Sequence, residues 1–238
     1  MNIALIGYGK MGKAIEAIAV ERGHEIVLKI DLHNADALTK ENLNQADVAI
    51  EFTGPHTAHD NIVKLLQTGV PVVSGSTGWL NKLAEVEALC SAQNGAMLYA
   101  SNFSIGVNLF FELNKKLAIL MHPHLNYNVA IEEVHHTAKL DAPSGTAITL
   151  AEQIMEVYSE KTKWVNDVSP EPSELLISSK RIDPTPGTHT ITYSSEIDDL
   201  SISHTAHSRK GFALGAVMAA EFIKGKKGIF SMKEVLGL

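Results

Sequence analysis

Cysteine is almost absent: Cys90 stands alone in 238 residues, so no internal disulfide can form, and the chain fits a reducing compartment. Long hydrophobic runs are absent too, none approaching the roughly 18 residues needed to span a bilayer. Positive charge is in deficit, with 20 Lys and Arg against 27 Asp and Glu, net −7. That balance argues against nucleic acid or an anionic membrane as the main partner, and an anionic substrate would need a local basic cluster. The N-terminus, Met1-Asn2-Ile3-Ala4-Leu5-Ile6, has no basic lead or cleavage site and runs straight into an apolar strand pattern. No internal repeat or low-complexity tract occurs. The expectation is a soluble, cytoplasmic protein with no nucleic-acid and no membrane partner.

What is present is ordinary globular composition, 45% hydrophobic and 20% charged, which excludes a disordered or fibrous chain. At about 150 residues per domain the length allows one large domain or two modest ones, either able to bury a core. In the first hundred residues, apolar runs at Ile3–Ile6, Glu25–Ile30, Val48–Phe52, Val70–Val73 and Ala96–Ala100 alternate with helical patterns such as Ala14, Ile15, Ile18 and Ala19. Continuous apolar strands separated by helices read as a parallel sheet covered on both faces. Beyond Phe103 the texture changes. A long helix from Ile105 to about Met121 leads to a strand at Val129–Val134 and a helix from Ser144 to about Tyr158. Alternating segments at Thr188–Ser194 and Leu200–Ala206 read as antiparallel strands with one solvated face. Between these parts, Val168–Gly187 holds four of the eight prolines and reads as a long loop around a short strand, Leu175–Ser179. Gly211–Lys224, rich in small residues, returns to a helical pattern suited to close packing on a sheet. The expected division is residues 1–103 with 209–238, and an inserted domain of residues 104–208.

The first strand ends in Gly7-Tyr8-Gly9-Lys10-Met11-Gly12, a GxGxxG directly before a helix. Gly7 suits the tight turn, Gly9 close approach to a pyrophosphate, and Gly12 close helix–strand packing. The helix N-terminus offers N–H groups and positive dipole to phosphates. Asp31, nineteen residues after Gly12 at the end of the second strand, is placed for ribose hydroxyls. Together they point to a Rossmann-type doubly wound sheet, although the same glycines could serve a turn without a ligand. Further turns, Phe52-Thr53-Gly54-Pro55, Gly75-Ser76-Thr77-Gly78 and Ser101-Asn102-Phe103-Ser104, follow the third, fourth and fifth strands. Ligands of open α/β sheets bind at that edge, so these turns are expected to line the cofactor crevice.

The densest chemistry lies outside that domain, in Glu132-Glu133-Val134-His135-His136-Thr137-Ala138-Lys139-Leu140-Asp141-Ala142-Pro143-Ser144-Gly145-Thr146-Ala147. Histidine near neutral pKa suits proton transfer, and lysine can hold an anion or give up a proton. Ser144 reads as a helix cap, with the N–H groups of Gly145 and Thr146 placed to hold a carboxylate. Adjacent strand residues face opposite sides, so both histidines reach one substrate only if the strand breaks at about His135. Two alternatives compete: a metal site of His135, His136 and Asp141, or a solvated strand end beside a well-capped helix.

These residues resemble one family, 4-hydroxy-tetrahydrodipicolinate (dihydrodipicolinate) reductase. The match includes HHxxKxDAPSGTA at residues 135–147, NFSxGVN at 102–108 and HxAxxRxxFAxGA at 204–216, and with GxGxxG it covers nearly the whole chain. The resemblance implies a two-domain enzyme of the diaminopimelate and lysine pathway, its second α+β domain built on a mixed, largely antiparallel sheet. It also implies a homotetramer assembled through that sheet. Hydride would pass from NADH or NADPH to a cyclic imine dicarboxylate, giving tetrahydrodipicolinate with loss of water. Carried over, His135 is the acid/base residue and Lys139 the proton donor. The substrate carboxylates fall to His136, Ser144, Gly145 and Thr146. The nucleotide contacts fall to Gly7, Tyr8, Gly9, Lys10, Met11, Gly12, Asp31, Gly75, Ser76, Thr77, Ala100, Ser101, Asn102 and Phe103, with no metal. Leu32 stands where many members carry a basic residue, and Asp183 where a glycine is expected. Rival readings are an aspartate- or homoserine-type dehydrogenase, and a non-catalytic dinucleotide sensor with no need of His135 or Lys139.

Overall fold

The computed structural model describes residues 1–168 and 170–238. Strand and helix alternate through β1 (Asn2–Ile6), α1 (Lys10–Glu21), β2 (Glu25–Ile30), α2 (Lys40–Leu43), β3 (Val48–Glu51), α3 (Ala58–Thr68), β4 (Val72–Ser74), α4 (Leu83–Ala92) and β5 (Ala96–Tyr99). There follow α5 (Ile105–Met121), β6 (Asn128–His135), α6 (Gly145–Met155), β7 (Lys163–Asn166), β8 (Glu174–Arg181), β9 (Gly187–Ser194), β10 (Asp199–Ala206), α7 (Lys210–Ile223), β11 (Gly228–Phe230) and α8 (Met232–Leu236). The chain divides into two units, Met1–Ile105 with Arg209–Leu238, and Gly106–Ser208.

In the first unit six strands form a parallel sheet in the order β11-β5-β4-β3-β1-β2. The continuous apolar strands are explained by burial on both faces. Ile3 and Leu5 join one core with Ile15 of α1 and Val217 of α7, while Ala4 and Ile6 join the other with Ile62 and Leu65 of α3. The small residues of α7 have a specific cause at Gly215, where a Cβ would lie 1.8 Å from the Phe103 carbonyl oxygen. Only a residue without a side chain lets that helix approach so closely.

In the second unit the order is β10-β9-β6-β8-β7. The sheet is mixed: β10 with β9 and β9 with β6 are antiparallel, β6 with β8 and β8 with β7 parallel. The two alternating segments are the antiparallel β9 and β10, and the sheet as a whole is evenly mixed where a largely antiparallel one was expected. The expected proline-rich loop contains a full eight-residue strand, β8, in place of a short one. On one face, Val129, Ile131, Ile177, Ile191 and Tyr193 pack with residues of α5 and α6 such as Phe110, Leu117 and Leu150. On the other, hydroxyls pair across strands: Thr188 with Thr205, Thr190 with Ser203, and Thr192 with Ser201, at 2.9–3.1 Å. Among the described residues no helix is long and apolar enough to cross a membrane.

Candidate active site

Packing dictates two of the three glycines after β1. Gly7 has φ +99°, and a Cβ there would lie 2.1 Å from the Phe52 carbonyl oxygen; one on Gly12 would lie 2.3 Å from the Gly7 oxygen. Gly9, which caps α1 without a side-chain hydrogen bond, faces open space. The first N–H groups of a helix have no intrahelical acceptor, so this opening suits a phosphate. It belongs to a cavity of about 530 Å³ bounded by Gly7, Gly9, Asp31, Leu32, Thr53 and Asn61. That size falls in the range of small-molecule sites. At the end of β2, Asp31 accepts the His33 N–H at 2.8 Å, and Leu32 beside it is 91% exposed. The Tyr8 hydroxyl donates to Glu16, whose other oxygen holds the Lys29 ammonium at 2.6 Å. Lys10 is exposed, and Met11 packs on the core. A glycine cradle, an open helix terminus and an acid at the next strand end fit a dinucleotide.

The remaining expected nucleotide residues lie elsewhere. Gly75, Ser76 and Thr77 follow β4, and Ala100, Ser101, Asn102 and Phe103 follow β5; none of them bounds this cavity. Two corrections concern side chains. Phe103 is buried and packs on Phe52, ring centroids 5.4 Å apart. The buried Ser76 hydroxyl donates to Glu51 at 2.7 Å. Only main chain at these two positions is left for a ligand.

In the second unit the inward face of three neighbouring strands changes character along its length. Its far half is apolar, with Val129 and Ile131 on β6, Leu175 and Ile177 on β8, and Ile191 and Tyr193 on β9. Its near half is polar, with Glu133 and His135, Ser179 and Arg181, and Gly187 and His189. The register pairs Glu133 with both Ser179 and His189, and His135 with Arg181. Fully buried, the Glu133 carboxylate accepts the Ser144 N–H at 3.1 Å on each oxygen and the Ser179 hydroxyl at 2.8 Å. Arg181 donates to it at 3.2 Å. Burial alone would raise its carboxyl, but hydrogen bonds from His189, Ser144 and Ser179 outweigh that and hold it well below the usual carboxylate range.

His135 is the last residue of β6, and the strand breaks there. Its ring is buried against the Gly187 backbone and 5.1 Å, edge-on, from the ring of His189. Burial pushes it down to about 4, with the Glu133 charge opposing and His189, Lys139 and Arg181 adding to the fall. It is therefore neutral at pH 7. Its Nδ1, without a hydrogen-bond partner among the described residues, lies 3.4 Å from Glu133 Oε2. Beyond the break, half-buried His136 starts the loop to α6. Lys139 in that loop is held by both oxygens of Asp141, at 2.8 and 2.7 Å. Arg181 pins the loop through the carbonyls of Lys139 and Asp141. Asp183 holds it from the other side, accepting from the Thr137 N–H and hydroxyl. Ser144 caps α6, its Oγ accepting the Ala147 N–H at 3.2 Å and lying 3.0 Å from His189 Nε2. Gly145, exposed, and Thr146 open the helix.

The metal alternative changes membership. One donor atom each of Glu133, His135 and His189 lies within 4.8 Å of the others, whereas Asp141 is taken by Lys139. An arginine on the same carboxylate, with three further donor contacts, fits an ion-paired hydrogen-bond network better than a bound cation. Glu133, inside the dense segment, was given no role there, and Ser179 and Arg181 had no motif to announce them. Their only trace is polar residues at the inward positions of strands whose other inward positions are apolar.

Comparison with known proteins is consistent along the length. Residues 1–103 match the dihydrodipicolinate reductase N-terminal family and residues 106–236 its C-terminal family. A protein of Christiangramia forsetii named 4-hydroxy-tetrahydrodipicolinate reductase is 53% identical over 238 residues, covering 99% of this chain and 98% of its own. One of the same name from Neisseria meningitidis is 32% identical over 230 residues, covering 94% and 84%. Among solved structures, a dipicolinate-bound dihydrodipicolinate reductase from Paenisporosarcina sp. TG-14 superposes with TM-score 0.77 at 25% identity, over 98% of each chain. The chain belongs to the dihydrodipicolinate reductase family.

Proposed function

We propose that this chain is an NAD(P)H-dependent reductase of 4-hydroxy-tetrahydrodipicolinate. It forms tetrahydrodipicolinate with loss of water, in the cytoplasmic pathway to diaminopimelate and lysine. The carrying observation is the β6–α6 connection, where one stretch supplies a neutral buried imidazole, an ammonium and a capped helix N-terminus. The turn at Gly7 and Gly9 with the N-terminus of α1 would hold the nucleotide's pyrophosphate and Asp31 its ribose, Gly12 letting the helix pack close enough. The bound reduced nicotinamide supplies hydride. His136 and the N–H groups of Gly145 and Thr146 hold substrate carboxylates, while Ser144, buried and committed to Glu133, Ala147 and His189, caps the helix that presents them. Lys139 gives the proton once substrate draws its ammonium from Asp141. Glu133, 3.4 Å from the His135 Nδ1, places a negative charge beside that imidazole and favours its protonated form. The second unit also carries assembly into a homotetramer.

The deciding experiment follows loss of NADH and NADPH absorbance with and without the cyclic imine. Oxidation that requires the imine supports the reading. Binding of nucleotide with no oxidation would point to a sensor. Oxidation of NADH or NADPH by aspartate semialdehyde instead, or reduction of NAD⁺ or NADP⁺ by homoserine, would point to a different dehydrogenase.

A further inference from the structure

Glu51 is a second fully buried carboxylate, at the end of β3 in the middle of the parallel sheet. Its Oε1 accepts the Thr53 N–H at 2.9 Å, the Thr53 hydroxyl at 2.5 Å and the Ser76 hydroxyl at 2.7 Å; its Oε2 accepts the Ser74 hydroxyl at 2.6 Å. Among the described residues no Lys, Arg or His comes within ion-pair distance of it. Burying a carboxylate is costly, and a chain seeking stability alone would pair it or replace it by an apolar residue. Here every neighbour is a neutral donor: four donor contacts converge on the two oxygens, the set that an ionised carboxylate accepts, with no cation beside them.

Its position gives that charge a use. Across the sheet, Asp31 stands at the end of β2, the glycine turn at the end of β1, and Glu51 at the end of β3. In a doubly wound sheet the acid after the second strand takes the adenosine ribose and the glycine turn the pyrophosphate. The far half of a dinucleotide therefore extends toward β3 and β4. Thr53, bonded to Glu51, bounds the cavity, as does Asn61, whose amide donates to the Thr53 hydroxyl at 3.4 Å. That far half is neutral when reduced and gains a positive charge when it gives up hydride. Fixed charge aimed at developing charge is the strongest electrostatic device available to a site. We propose that Glu51 is a positioning and electrostatic residue that favours the oxidised, cationic nicotinamide over the reduced one. It rests on the nucleotide-binding reading above.

Equilibrium binding to free protein tests it, by calorimetry for NAD⁺ and NADP⁺ and by fluorescence for NADH and NADPH. Glu51→Gln should weaken the oxidised form about five- to tenfold more than the reduced form. A residue that only anchors loops would weaken both alike, and an equal loss, or none, overturns the proposal. Glu51→Asp, keeping the charge, should keep the ratio of the two affinities near wild type. If Glu51→Gln does not fold, Glu51→Met with Ser74→Ala and Ser76→Ala removes the charge together with the hydroxyls it would orphan, and the same ratio decides. Wild-type protein that binds no member of either pair would sink the nucleotide reading and this inference with it. Wild-type binding with an unchanged ratio in the variants sinks this inference alone.

Discussion

Removing the Lys139 ammonium (Lys139→Ala) or the His135 imidazole (His135→Gln) should each lower kcat by roughly 10²–10⁴. NADH affinity should hardly move, because the nucleotide cavity is built entirely from the first unit. Near-normal turnover in either variant would remove that residue from the chemistry. His135 also makes a stability prediction. It titrates at about 4 in the folded chain against 6.5 ordinarily. Between those values the unfolded chain takes up the proton and the folded chain does not, so stability is lost as pH falls from 6.5 toward 4. The loss is on the order of 2–3 kcal/mol. His204, lowered by burial, acts in the same direction, while Glu133 keeps its charge well below the usual carboxylate range. A melting temperature followed over this interval should fall less steeply for His135→Gln than for wild type; parallel curves would contradict a neutral, buried His135. Residues in a dense motif were legible in the sequence at this scale. Glu51 was not, nor was the role of Glu133 within that motif, because a carboxylate's role depends on which strands flank it, and that is decided by register across residues far apart in the chain.

A cofactor preference is predicted from the end of β2 as an element, through the way its side chains divide between neighbours. Asp31 can accept from both adenosine ribose hydroxyls of NADH but would face the 2′-phosphate of NADPH. Lys29, two residues earlier on the same face, is the nearest candidate to offset that repulsion. It is committed to α1, held by Glu16 at 2.6 Å and lying over the Tyr8 ring at 4.9 Å from its centroid. Leu32 offers no charge. A partly screened like-charge contact costs about 1–2 kcal/mol, roughly five- to thirtyfold in affinity. NADH should therefore be used at least as well as NADPH, as kcat/KM for both at one ionic strength will show. A tenfold preference for NADPH would mean that another cation outweighs Asp31, and Glu16→Gln, by releasing Lys29, should move the ratio toward NADPH. Five strands of the first sheet were legible because burial on both faces writes a continuous apolar run; β11, three residues at the sheet edge and largely exposed, was not. β7 was not: Lys163-Trp164-Val165-Asn166 is a four-residue edge strand with no apolar alternation. The length of β8 was hidden for a related reason, since its inward residues turn polar at Ser179 and Arg181 to serve Glu133.

For the whole molecule, the second sheet leaves a surface that a lone chain would be expected to guard. β10 is an edge strand, and neither β9 nor Leu200–Ala206 carries a single Lys, Arg, Asp or Glu. Natural edges are blunted by charge, proline or bulges, and β9 and β10 pair in unbroken register from Gly187 with Ala206 to Ser194 with Asp199. On β9 and β10 the outward face carries paired Thr and Ser hydroxyls, short and uncharged, over which another sheet can lie flat, with the Glu132–Lys180 ion pair beside them on β6 and β8. A second copy of the chain answers both features, and closed symmetry then favours a small even assembly. Sedimentation should give a mass four times the 25.8 kDa chain. Thr190→Lys, which puts an ammonium in the middle of the hydroxyl rows, should reduce that mass while leaving NADH binding intact, because the cavity lies in the other unit. A wild-type protein that sediments as a monomer, or a Thr190→Lys variant that stays tetrameric, would take this face out of the assembly.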